Sequence, residues 1–234
     1  MGLLLANVDQ ELDEVRHGEI EPPREMVYVG GGKEARDGDA TISGGLSYGL
    51  MHGKTAINPG IEGSLRALDQ GAIIHVYGHS NFGTGIGSKK HKLTPGALVD
   101  SLISDGLRPR QAVTIRLAAC GTGASIVRGG AIVANSKPFV EQVAKLLAGR
   151  GFQNATVVGY TAFVIPASYE EAPEGKGRII YAPGHDIHSE KENEVRLRDR
   201  EVIWTIREGV ARKNSGGKYE YSNPKKGYYK ISSV

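Results

Sequence analysis

Two short stretches carry groups that can do covalent chemistry. Residues 113–125 read VTIRLAACGTGAS, and residues 72–80 read AIIHVYGHS. Each is an apolar run that gives way to glycine beside a reactive side chain: Cys120, the chain's only cysteine, and His79, 41 residues earlier. A thiol attacks a carbonyl only as its thiolate. Its free pKa is about 8.5, and an adjacent imidazole lowers it. A contacting Cys–His pair with two donors for the oxyanion therefore performs acyl transfer. Gly121 leaves the backbone open to an approaching substrate. The backbone N–H groups of Cys120 and Gly121, with that of Ser80, are the natural donors to an oxyanion. The competing role is bland. A cysteine after a buried strand is most often a small core hydrophobe, and a histidine after glycine is often a turn residue. The joint arrangement favours chemistry: strand-Gly-His, helix, strand-Cys-Gly, in that order.

The elements that must position this pair are legible as an alternation. AIIHVY, bounded by Gly71 and Gly78, reads as a strand buried on both faces. LTPGALVDSLISDGL reads as a helix capped by Thr94 with Pro95 in its first position; Leu98, Leu102 and Ile103 recur at helical spacing, and Gly106 stops it. VTIRLAA (113–119) is a second central strand. SKPFVEQVAKLLAGRG is a second helix, with Phe139, Val140, Val143, Leu146 and Leu147 on one face and Gly149 and Gly151 at its end. ATVVGYTAFVIP (155–166) is a third strand. Strand, helix, strand, helix, strand predicts an α/β fold with a parallel sheet and right-handed crossovers. Reactive groups in such sheets gather beyond the carboxyl ends of the strands, where His79 and Cys120 both fall. REMVYVGGG looks like a first strand. Residues 30–63 are turn-rich, with ARDGDATISGG as a hairpin or loop. HSNFGTGIGSKKHK reads as an exposed glycine-rich loop and GRIIYAPG as an outer strand. The stretch from His185 to Val210 reads as a helix or a hairpin, and the end of the chain as an exposed strand pair or tail.

The chain has 234 residues, with 39% hydrophobic and 24% charged, enough for one α/β domain carrying arms. We expect an acidic N-terminal arm over 1–25 and a single domain over 26–234, with its core at about 70–185 and a basic segment at 186–234. A single cysteine makes no internal disulfide, which suits a reducing compartment. MGLLLANVDQELDEV lacks a basic n-region and a long apolar core, so no secretory signal is expected. No stretch has the 18 uncharged apolar residues of a membrane span. Residues 1–50 hold 4 Lys+Arg against 10 Asp+Glu, whereas residues 176–234 hold 13 against 8. The two ends can pair with each other, or the basic one can serve a polyanion. The overall charge of +3 and the lack of a basic stripe interleaved with aromatics argue against nucleic acid as a partner. FGTGIGSKKHK fails as a phosphate loop because Ser-Lys-Lys stands where Gly-Lys-Ser/Thr is needed; GGGKEARDG is an equally weak lookalike. His185, Asp186 and His188 complete no closed zinc site, and no metal is expected. His52, His75 and His91 mark only strand or loop positions, and Trp204 reads as a core anchor.

YGHS (77–80) and LAACGTG (117–123) resemble the two catalytic blocks of the caspase-like clan of cysteine peptidases. Within it, the chain is most similar to the autoprocessing cysteine protease domains of RTX and large glucosylating toxins and related bacterial effectors. The resemblance covers about residues 70–185. It implies a three-layer caspase-like sandwich, a mostly parallel sheet with helices on both faces. It implies Cys120 as nucleophile and His79 as general base or acid, working as a dyad with no assigned carboxylate. Ser80 departs from the pattern, where glycine is usual. The resemblance also implies hydrolysis of a protein or peptide, including the chain's own acidic arm, with no cofactor for the chemistry. Inositol hexakisphosphate is the implied activator. The matching basic region holds Lys176, Arg178, Arg196, Arg198, Arg200, Lys213, Lys218, Lys225 and Lys226, whose alternative role is a solvated face. The implied setting is bacterial, in the producer's cytoplasm or delivered to a target cell without a cleaved signal. Two other readings remain open: a binding module of the same fold without turnover, and a polyphosphate- or nucleotide-binding α/β protein using its glycine loops.

Overall fold

Doubly buried apolar runs bounded by glycine leave no option but to pair on both edges, and here they form the centre of a sheet. The structure, a computed structural model, describes residues 25–29, 55–57, 63–80, 85–88, 91–124, 127–128, 131–132, 136–161, 163–166, 178–181 and 201–215. Seven strands make the main sheet: β1 (Glu25–Val29), β2 (Thr55–Ile57), β3 (Ala72–Tyr77), β7 (Val113–Ala118), β10 (Asn154–Tyr160), β13 (Glu201–Arg207) and β14 (Val210–Ser215). Their order is β14-β13-β10-β7-β3-β1-β2. The first five in the chain run parallel, and β13 and β14 close one edge as an antiparallel hairpin. The fold is thus α/β with a mixed, mostly parallel sheet. The order of connection reverses beside β1, so the topological switch point falls between β1 and β3, where open α/β sheets place their crevices. Of the stretch from His185 to Val210 read as a helix or a hairpin, the described part, from Glu201, belongs to the β13–β14 hairpin, and residues 185–200 lie outside the described residues.

The two expected helices are present. Helix α1 (Pro95–Ser104) starts where Thr94 Oγ1 accepts from the Ala97 N–H, with proline in its first turn. That side chain satisfies one of the orphan donors of a helix start. Helix α2 (Phe139–Gly149) buries Phe139, Val140, Val143, Ala144 and Leu147. Among the described residues both helices cover the same face of the sheet. This face presents Ile74, Val76, Ile115, Leu117, Val157, Trp204 and Ile206, which form one apolar cluster with the helices' Leu98, Leu102, Val143 and Leu147. Trp204 is therefore a core anchor, as its apolar setting suggested. The opposite face carries His75 and Arg116 in direct register. There Arg116 donates to Glu201 Oε1 at 2.7 Å and to the Tyr160 hydroxyl at 3.3 Å.

Several local expectations need correction. The run 155–166 is two strands: β10 ends at Tyr160, and β11 (Phe163–Pro166) leaves the main sheet to pair with β12 (Arg178–Tyr181). GRIIYAPG thus contributes a strand to that separate two-stranded sheet, away from the edge of the main one. The glycine-rich segment after His79 is not simply an exposed loop. It forms β4 (His79–Ser80), β5 (Ile86–Gly87) and β6 (Lys92–Leu93), a three-stranded sheet in which Ile86 and Ser88 are fully buried. A further small hairpin joins β8 (Val127–Arg128) and β9 (Ala131–Ile132). Residues 1–24, the ARDGDATISGG stretch, the HDIH group and the end of the chain lie outside the described residues. No described helix is long and apolar enough to cross a membrane.

Strand β1 is tied to α1 by a polar contact within this core. The Tyr28 hydroxyl donates to Asp105 Oδ2 at 2.6 Å and lies 2.7 Å from Ser101 Oγ. Tyr28 and Asp105 are both buried. Tyr28→Phe removes one donor from a buried carboxylate and is expected to cost about 1–3 kcal/mol of stability, read by urea unfolding.

Candidate active site

The pairing of β3 with β7 decides where the two reactive groups end up. The ladder runs without interruption from Ala72↔Val113 to Tyr77↔Ala118. His79 lies two residues past Tyr77, and Cys120 two residues past Ala118. Both groups thus follow the carboxyl ends of two adjacent strands, which are about 4.8 Å apart. His79 is exposed and Cys120 is half-buried. The sulfur is not sealed in the core, and both groups belong to the carboxyl edge.

The turn after β7 is fastened from inside. Thr122 is fully buried, and its hydroxyl lies 3.2 Å from the Leu117 carbonyl oxygen, to which it donates. The Thr122 hydroxyl oxygen in turn accepts from the Tyr160 N–H at 3.1 Å. The Gly123 N–H donates to the Tyr160 carbonyl, and the Val140 N–H, at the start of α2, donates to the Thr122 carbonyl. The turn is therefore bolted to β7, β10 and α2 together. Gly121 sits at a φ of 64°, a left-handed conformation that glycine adopts without a steric cost. Its N–H is buried and takes no hydrogen bond among the described residues. Unpaired buried N–H groups are rare, and this one suits an oxyanion.

The imidazole is carried differently. Gly78 separates β3 from β4, and His79 then pairs with Gly87 while Ser80 pairs with Ile86. Ser80 is buried, and its hydroxyl lacks a hydrogen-bond partner among the described residues. Two further ionisable groups, missed in the sequence, belong to the neighbourhood of Cys120. Burial pushes the Tyr77 phenol up to about 12, and negative charge at Cys120 adds to that rise. Lys92 is drawn below the usual lysine range by burial, and negative charge at Cys120 opposes the fall. Neither carried a local signal: Tyr77 reads as the last residue of a buried strand and Lys92 as one of several lysines in a polar loop.

Of the basic residues implied for a polyphosphate, Arg178 is placed in β12 and Lys213 is an exposed residue of β14. Lys176, Arg196, Arg198, Arg200, Lys218, Lys225 and Lys226 lie outside the described residues. No group of three or more metal-ligating side chains occurs among the described residues. No protein-family model matches the chain, and no curated protein matches it with significant sequence similarity.

The buried phenols set an alkaline limit on stability. Tyr77 and Tyr160 are both raised from 10.0 to about 12, in each case first by burial. The folded chain then holds a proton on each that the unfolded chain releases from pH 10 upward. Stability is complete below pH 10 and falls as pH rises to 12, by about 2 kcal/mol per tyrosine. Tyr28, raised further still by burial, keeps its proton across the same window, so urea unfolding checks a slope to which three phenols contribute, and the Tyr77→Phe variant is expected to flatten it by about a third.

Proposed function

We propose that the chain is a cysteine endopeptidase built on a caspase-like sandwich, with Cys120 and His79 as its catalytic pair. One observation carries the reading: the unbroken β3–β7 register ends two residues before His79 on one strand and two residues before Cys120 on its neighbour. The unpaired Gly121 N–H beside the sulfur supports it, as does the sequence resemblance at both strand ends. The Cys120 thiolate attacks the peptide carbonyl, forming a C–S bond while the carbonyl π electrons move to oxygen. The Gly121 and Cys120 N–H groups, with that of Ser80, take the resulting oxyanion. His79, as imidazolium, protonates the departing amine as the C–N bond breaks. Water, deprotonated by the same ring, then cleaves the thioester and regenerates the thiol. The substrate is a protein or peptide, the chain's own acidic N-terminal segment included, and the setting is that of a bacterial effector or toxin domain.

The test is cleavage of the purified chain and of unstructured protein substrates, together with labelling by a thiol-reactive peptidyl probe. Cys120→Ala is expected to abolish both. His79→Ala is expected to lower turnover by about a thousandfold or more, with folding unchanged by circular dichroism. Undiminished proteolysis in both variants overturns the reading.

Activation by inositol hexakisphosphate belongs to the same proposal, because a hexaphosphate needs several cations at once. The ligand is expected to raise the melting temperature of the full chain and to stimulate probe labelling. An unmoved melting curve and unchanged labelling remove the activator from the scheme.

A further inference from the structure

The small sheet after His79 places a cation in line with the imidazole. His79 in β4 pairs with Gly87 in β5, and Gly87 pairs with Lys92 in β6. The three residues form one row across three strands. Residues directly opposite each other on neighbouring strands point to the same face, so His79 and Lys92 share a face. The row's central member has no side chain. Gly87 is not replaceable there, since a Cβ would collide with the carbonyl oxygen of His91. The turn that forces this approach is closed by Ser88, whose hydroxyl accepts from the His91 N–H at 2.9 Å. Between imidazole and ammonium the sheet therefore offers a gap about two strand spacings wide, near 10 Å from Cα to Cα. Cys120 follows β7, the neighbour of β3, as His79 follows β3.

We propose that Lys92 is a positioning residue for the thiolate: its ammonium holds Cys120 ionised independently of the charge on His79. The inference rests on the reading of Cys120 as nucleophile but assigns a role to a residue outside the pair. Two observations support it. The row puts Lys92 on the imidazole's side of the small sheet. Negative charge at Cys120 favours the charged form of Lys92, against the burial that disfavours it, which accords with an ammonium on the sulfur's side. The other charged or titratable groups brought there by neighbouring elements do not supply that charge. Tyr77, from β3, stays neutral to about pH 12. His79, from β4, is a cation only while protonated. In the first turn of α2, Glu141 is paired with Lys145 at 2.6 Å.

The experiment reads the thiol directly. The rate of Cys120 alkylation by iodoacetamide is followed from pH 5 to 10 in the wild-type chain, Lys92→Met and Lys92→Arg, with melting curves as a control. A cation favours the thiolate, so its removal raises the midpoint. Lys92→Met is expected to shift the profile up by about one pH unit, slowing alkylation about tenfold below the midpoint. Lys92→Arg, which keeps the charge, is expected to restore the wild-type midpoint. A Lys92→Met profile that superimposes on the wild type overturns the proposal, and so does an equal shift in Lys92→Arg. The readout needs no proteolysis. A chain that alkylates as expected yet cleaves nothing sinks the peptidase reading and leaves the role of Lys92 standing.

Discussion

The hydrogen-bonded register between β3 and β7 is the constraint on which the rest depends. Six consecutive pairs run from Ala72↔Val113 to Tyr77↔Ala118 without a bulge. The reactive side chains do not set that register. The face beneath the helices presents Ile74 and Val76 opposite Ile115 and Leu117, and the other presents His75 opposite Arg116. Because side chains alternate, a slip of one residue would send a strand's whole apolar set to the wrong face. It would force an imidazole or a guanidinium against α1 and α2, at a desolvation cost that burying apolar area elsewhere could not offset. The alignment of the two strand ends that precede residues 79 and 120 is therefore a by-product of core packing.

The two groups reach the edge on supports of different character. Cys120 stands on a turn whose Thr122 hydroxyl serves three strand and turn segments at once, donating to Leu117 and accepting from Tyr160. Such a fully satisfied buried hydroxyl fixes the backbone around it, because any displacement leaves several buried polar atoms unpaired. His79 belongs to a three-stranded sheet of two-residue strands, joined to the main sheet through Gly78. The two supports therefore differ: one turn is pinned through a buried hydroxyl, and the other rests on two-residue strands.

Much of the central fold was legible because it rests on local rules. Thr94 and Pro95 announce α1, and glycines at 71 and 78 bracket β3. The apolar stripe of Phe139, Val140, Val143 and Leu147 defines the face of α2 that the structure buries. What was not legible depends on pairing at a distance. The run ATVVGYTAFVIP is apolar across residue 161, so nothing local marks where β10 gives way to β11 in another sheet. The small sheet after His79 is invisible for a related reason. Two-residue strands have no periodicity to detect, and the glycines that allow their close approach look like those of any loop. Lys92 was lost with it: only the row through Gly87 gives it a relation to residue 79. At the site, the strand-end positions of Cys120 and His79 were readable because both follow long buried strands. Lys92, to which the tuning role is proposed, sits on a two-residue strand too short to be read.

That difference bears on how a thiol and an imidazole divide their work. A thiolate–imidazolium pair is self-limiting when each owes its charge to the other. Once the ring gives its proton to a leaving amine, the sulfur loses the cation that favoured its ionised form. An ammonium changes the balance, because a lysine even drawn down by burial stays protonated at pH values where histidine has lost its charge. Carrying that lysine on the same small sheet as His79, with Gly87 between them in the row, fixes the register of the two residues. It also separates the charge that sustains the nucleophile from the group that must exchange protons. On this argument the glycine-rich insertion between β3 and α1 is a part of the site's electrostatics, and its otherwise unreadable sequence has a physical reason to be there.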